Sequence, residues 1–170
     1  MHEFQVATVL ALAAGSFVAA VVTWNRTGAE RRFAAFLAIC AGVLAVDKAT
    51  GAVNRLHAGL HRVGIGDPPY LRGIDDLILL IGMLCAVAFL AWHWRTLQAF
   101  PRVTAALAAG GAFAAVAFAI DSFGPERGFA VRIEDASELA MSIALLAATL
   151  LFARPRGHFA SARHIPPEAA

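Results

Sequence analysis

Charge is scarce in this 170-residue chain. Only 15% of its residues are Asp, Glu, Lys or Arg, against roughly 25% in soluble domains. That scarcity excludes an ordinary water-facing surface, and a formal net charge of +2 excludes the strongly basic face that nucleic-acid binding requires. Cysteine is nearly absent: Cys40 and Cys85 stand alone, each inside an apolar run, so no CxxC pair and no disulfide framework can be drawn. There is no Gly-rich phosphate loop, nucleophile elbow or dinucleotide fingerprint, and the enzyme classes those motifs carry are not indicated. Lys and Arg are missing from Met1-His2-Glu3-Phe4. The apolar run that follows, about Val6 to Trp24, exceeds the roughly 7–15 residues of a signal-peptide core and is read as a retained first helix.

What the chain has instead is apolar length. Hydrophobic residues make up 59% of it, and the mean hydropathy is +0.67. Apolar runs of about 20 residues recur, each able to cross a hydrocarbon core of about 30 Å. In lipid the backbone must satisfy its own hydrogen bonds, so such runs become helices. The expected architecture is an all-α integral membrane bundle of about five spans: Gln5–Trp24, Arg32 to at least Val53, Leu71–Trp94, Val103–Phe123 and Arg132–Ala153. Residues 1–153 form one transmembrane domain, and 154–170 a flexible cytoplasmic tail. Ala106, Gly110 and Ala114 in the fourth span are spaced for close helix contact. Tyr70, Trp92 and Trp94 fall where an aromatic belt would sit, and His93 reads as an interfacial residue rather than a ligand.

Eight cations (Arg26, Arg31, Arg32, Arg95, Arg102, Arg154, Arg156 and Arg163) fall on one side of this layout. Six (Lys48, Arg55, Arg62, Arg72, Arg127 and Arg132) fall on the other. The bias of Lys and Arg toward the cytoplasm places the N-terminus outside and the C-terminus inside a bacterial inner membrane. A faint repeat accompanies the layout. Spans two and four end in Asp47 and Asp121, and spans three and five open with Arg72-Gly73-Ile74-Asp75-Asp76 and Arg132-Ile133-Glu134-Asp135.

Combining the spans with this orientation brings seven carboxylates to one depth near the outer surface: Asp47, Asp75, Asp76, Asp121, Glu134, Asp135 and Glu138. Residues three or four apart share a helix face. Glu134, Glu138, Ser142 and Thr149 therefore form a polar stripe on an otherwise apolar helix, and such a stripe should face the bundle interior. Asp47, Thr50, Asn54, His57 and His61 follow spacings of 3, 4, 3 and 4, and share one face if the second helix runs on to about His61. His57 and His61 have the HxxxH spacing that lets two imidazoles reach one metal ion, without the Glu of the zinc-protease motif.

Clustered carboxylates raise one another's cost of ionisation. Protons, basic partners or a bound cation relieve it. Basic partners are at hand: Arg72 for Asp75 or Asp76, Arg132 for Asp135, and Lys48 beside Asp47. Helix N-termini also favour acids. A divalent metal ion is the alternative. Its expected ligands are Asp47, Glu134 and Glu138, with Asp121, His57 and His61 as second choices. Oxygen ligands suit Ca²⁺, Mg²⁺ or Mn²⁺, and added imidazole shifts the preference toward Mn²⁺, Fe²⁺ or Zn²⁺.

The stretches Ala45-Val46-Asp47-Lys48-Ala49, Leu56-His57, Ala109-Gly110-Gly111 leading to Asp121, and Ile133-Glu134-Asp135 with Glu138 resemble a loosely defined group of bacterial multi-pass membrane proteins with no established activity. The resemblance covers about residues 40–153 and implies a helical membrane fold. Lys48 stands where the group usually has an acid, and Ala58 where it has a Glu after the His. Asp47 with the HxxxH pair is also distantly similar to membrane hydrolases of the alkaline-ceramidase type, which have seven spans and further His and Ser motifs.

Three function classes remain open on these residues. They are a cation-binding or transporting membrane protein, a metal-dependent membrane hydrolase, and a non-catalytic subunit of a larger membrane complex. The expected partners are the lipid bilayer and either another membrane protein or a second copy, with no nucleic acid.

Overall fold

The computed structural model describes residues 2–64, 66, 73–123 and 128–154, except for the side chains of His2, Ile74 and Asp75. Asp67, Tyr70, Arg72, Glu126, Arg127 and the tail past Arg154 lie outside the described residues, as do the expectations placed on them. Every regular element among the described residues is a helix: α1 (His2–Asn25), α2 (Gly28–Thr50), α3 (Ala52–Arg62), α4 (Ile74–Trp92), α5 (Trp94–Ala99), α6 (Pro101–Phe123) and α7 (Phe129–Ala153).

Helices α1, α2, α6 and α7 are each long and apolar enough to cross a membrane. At 23–25 residues they measure about 35 Å. Helix α4 is shorter, with 19 residues, or about 28 Å. It packs beside α3, which follows the C-terminal end of α2, and near its own end Phe89 stacks on Phe36 from the first turns of α2, with ring centroids 3.8 Å apart. Among the described residues the all-α membrane bundle thus has four helices of spanning length, with α4 a shorter apolar helix beside them where a fifth span was expected.

Side chains sort as they should when the solvent is hydrocarbon. Leu10, Phe17, Ile39, Val43, Ile81, Leu84 and Val87 are exposed on the outside of the bundle, where lipid accepts them without cost. The polar residues turn inward: Thr8, Ser142 and Thr149 are at most 2% exposed. Helix α7 is the central member and packs against α1, α2 and α6. Its contact with α6 depends on Gly110, where an added Cβ would stand 3.3 Å from the Cβ of Ala144, the close approach that small residues permit. Between α1 and α2 the Ser16 hydroxyl donates to the Ala38 carbonyl at 2.9 Å.

Two expectations are corrected here. The second helix does not continue to His61. It ends at Thr50, and Gly51 adopts the left-handed conformation (φ +62°), with α3 starting at Ala52. The turn is held by the Gly51 N–H donating to the Asp47 carbonyl at 2.6 Å and the Val53 N–H donating to Asp47 Oδ1 at 2.8 Å. Glycine has no Cβ to resist positive φ, and the Asp side chain satisfies an amide that the broken helix leaves without a partner. The spacing that put Asp47, Thr50, Asn54, His57 and His61 on one face therefore does not carry across Gly51. The faint repeat, for its part, has no counterpart in the packing. Helices α6 and α7 pack along their lengths, whereas α4 stands away from the backbone of α2 and meets it through the Phe36–Phe89 ring contact.

At one end of the bundle Phe33, Leu37, Leu97, Val103 and Phe152 form the buried core. Trp24, Trp92 and Trp94 are exposed around it, as an aromatic belt would be. His93 lies in this region but is buried, 7% exposed, and stacks on Phe89 at 4.1 Å. It is therefore part of the core rather than a solvent-facing interfacial residue. Arg26 donates to the carbonyls of Phe152 (3.4 Å) and Arg154 (3.2 Å) and to Glu30 at 3.1 Å. This covers the unpaired carbonyls that end α7. Asp47, Asp121 and the carboxylates that open α7 lie at the opposite end.

Candidate functional site

The carboxylate end is built from the start of α1, the last turns of α2 and α6, and the first turns of α7. Lys48, the chain's sole lysine, reaches across from α2 to pair with Glu138 Oε1 on α7. Both side chains are about three-quarters buried. Gln5 of α1 donates its side-chain amide to the Lys48 carbonyl at 3.1 Å, which ties a third helix to the same point.

Glu134, one turn before Glu138, lies within electrostatic reach of Asp121 on α6, of Glu138 and Asp135 on its own helix, and of Lys48. The polar stripe continues inward. Ser142 Oγ donates to the Glu138 carbonyl at 2.8 Å, and Thr149 Oγ1 to the Leu146 carbonyl at 2.7 Å. Both are buried, so this helix does turn its polar face to the interior.

Lys48 does not serve as the basic partner of Asp47 that its place in the chain suggests. Its ammonium instead pairs with Glu138, and the Asp47 carboxylate is taken up by the Val53 N–H. Asp76 is 3% exposed at the start of α4 and engaged in an interaction of its own, while the side chain of Asp75 lies outside the described residues. His57 and His61 stack on each other on α3, ring centroids 4.8 Å apart, beyond the Gly51 turn.

The expected ligands are therefore divided. Glu138 pairs with Lys48, Glu134 is within electrostatic reach of both and of Asp121, Asp47 caps α3, and the imidazole pair sits on that separate helix. Among the described residues no three His, Cys, Asp or Glu side chains stand close enough to hold one metal ion in this conformation.

Sequence reasoning missed two members of this region. One is Lys48 as the partner of Glu138, and the sign of it was present: a single lysine close to an aspartate on a helix of apolar residues. The other is Ser122, next to Asp121. It is 5% exposed and its hydroxyl has no hydrogen-bond partner among the described residues, a position no spacing rule identifies.

Chemically, Glu134 stands among the like charges of Asp121, Glu138 and Asp135, with the Lys48 ammonium as a counter-charge. Such a group can hold a cation, exchange a proton, or lock four helices together through ion pairing. Searches against protein-family models, curated proteins and solved structures find no match for the chain.

Proposed function

We propose that this multi-pass membrane protein binds a cation at the carboxylate end of its bundle, through Glu134, Glu138 and Asp121. The observation that carries the reading is the Lys48–Glu138 pair, with Glu134 one turn away and within electrostatic reach of both partners and of Asp121. Lys48 holds the position a cation would take, and a bound ion would release Glu138 from it and draw Glu134 and Asp121 inward. A carboxylate-only set favours a hard divalent ion such as Ca²⁺, Mg²⁺ or Mn²⁺. Recruiting His57 or His61 from α3 would shift the choice toward Mn²⁺, Fe²⁺ or Zn²⁺. In the orientation that the arginine bias favours, the site opens outward from a bacterial inner membrane.

A second reading is favoured by the same ion pair. Lys48 already neutralises Glu138, so the network can serve as an internal brace in a non-catalytic subunit of a membrane complex. A metal-dependent hydrolase would need an ion with an open coordination position facing lipid, and no observation singles out such a position.

The test is elemental analysis of the protein purified in mild detergent, beside a Glu134→Gln/Glu138→Gln variant. Near-stoichiometric metal in the wild type, lost in the variant, supports the cation site and identifies the ion. No metal in either, with thermal stability unmoved by divalent ions, leaves the structural brace.

A further inference from the structure

Helix α3 differs from every other helix among the described residues. It has 11 residues, none of them buried, and it begins at the Gly51 turn where α2 reaches the end of its span. At about 100° per residue, Val53, Leu56, Leu60 and Val63 fall within an arc of about 80°. Arg55 and Arg62 lie together on one side of the polar face, about 120–140° from the middle of that arc, and His57, His61 and Asn54 on the other side. Leu56 is 51% exposed and Val63 72% exposed, while Val53 and Leu60 are half-buried, so half of this apolar strip is left open although α4 packs against part of the helix.

We infer that α3 lies in the plane of the membrane surface, an anchor for anionic phospholipid headgroups. Its apolar strip is immersed at the acyl boundary, and Arg55 and Arg62 reach the phosphates.

Three observations select lipid as the occupant. First, the adjoining end of α2 is itself lipid-facing, since Val43 and Val46 are 62% and 58% exposed. Second, the helix carries two exposed arginines, whose long stems let the guanidinium rise to the phosphate level while the apolar face stays immersed. Arg55 donates from one guanidinium nitrogen to the Thr50 carbonyl and has further N–H donors for a phosphate. Third, two open apolar side chains on so short a helix fall far short of the roughly 1,000 Å² that a stable protein interface buries, which disfavours a second copy.

The placement has a consequence for the bundle. The same Asp47 whose carboxylate caps α3 is followed directly by Lys48, which holds Glu138. The seat of α3 in the headgroup layer therefore sets the depth of that ion pair. The inference depends on the membrane-spanning fold and is independent of the cation site.

The experiment is nitroxide scanning in a Cys40→Ala/Cys85→Ala background, with Leu56→Cys, Val63→Cys, Asn54→Cys and Ala58→Cys labelled one at a time. The protein is reconstituted in phosphatidylcholine vesicles with and without phosphatidylglycerol. Labels at 56 and 63 should collide with oxygen more than with a water-soluble nickel complex, and labels at 54 and 58 should do the reverse. In the wild type, phosphatidylglycerol should be retained over phosphatidylcholine on detergent extraction, and Arg55→Gln/Arg62→Gln should lose that preference several-fold. Equal nickel access at all four positions would overturn the inference. So would line broadening at 56 that vanishes on dilution with unlabelled protein, which would identify a second copy as the occupant. Unchanged lipid retention in the arginine variant would overturn the headgroup contact.

Discussion

Replacing Lys48 with Met keeps the length of the side chain and removes its charge. The Lys48–Glu138 pair is neither fully buried nor a surface pair, since the two side chains keep 29% and 23% of their exposure. Breaking a fully buried pair by removing one partner costs about 3–5 kcal/mol, and exposed pairs contribute about 0–1 kcal/mol. A pair about three-quarters buried should fall between these limits, at about 2 kcal/mol. Glu138 is moreover left beside Glu134 without its cation, which pushes the cost of Lys48→Met toward the upper part of that range. The coupling itself is read by a double-mutant cycle. Lys48→Met, Glu138→Gln and the double variant are unfolded reversibly by dodecyl sulfate in mixed micelles, followed by circular dichroism. The double variant should be more stable than the sum of the single losses predicts, by about 1–2 kcal/mol, because the neutral amide introduced by Glu138→Gln needs no counter-cation. Losses that add to within about 0.5 kcal/mol, the scatter of independent sites, would refute the pairing. They would also remove the basis for treating Lys48 as the internal cation of the site.

Other expected outcomes follow from single contacts. Gly110→Leu should separate α6 from α7, because even a Cβ there stands 3.3 Å from Ala144; a loss of about 2 kcal/mol or more, measured in the same titration, is expected, and an unchanged midpoint would contradict the helix contact. Gly51→Ala places a Cβ at φ +62°, which costs about 1–2 kcal/mol; it should straighten the α2–α3 junction, visible as a longer spin-label distance between positions 43 and 58 in electron–electron resonance. Arg26→Ala leaves the carbonyls of Phe152 and Arg154 without their donor and should cost about 1–2 kcal/mol, with faster amide exchange confined to the last turn of α7.

The spans were legible in the sequence because a bilayer imposes one rule on any long apolar run: the backbone must pair within itself, and only a helix does so in a single segment. The inward face of α7 was legible for the same reason. Glu134, Glu138, Ser142 and Thr149 share a helical stripe, and hydrocarbon rejects polar groups strongly enough to fix how the helix is rotated. The break at Gly51 was not legible. Glycine inside a helix costs only about 1 kcal/mol, so a sequence pattern running through it remained consistent with one long helix. The Asp47 carboxylate on the Val53 amide decided otherwise. The partner of Lys48 was also beyond the sequence. Asp47 is its neighbour along the chain, but successive residues on a helix point about 100° apart, and the approach of α7 brought Glu138 to the ammonium instead. Sequence alone thus determined which segments enter the membrane and which faces turn inward, because both depend on solvent. Only the tertiary structure decided which charges meet, because that depends on how neighbouring helices are set against one another.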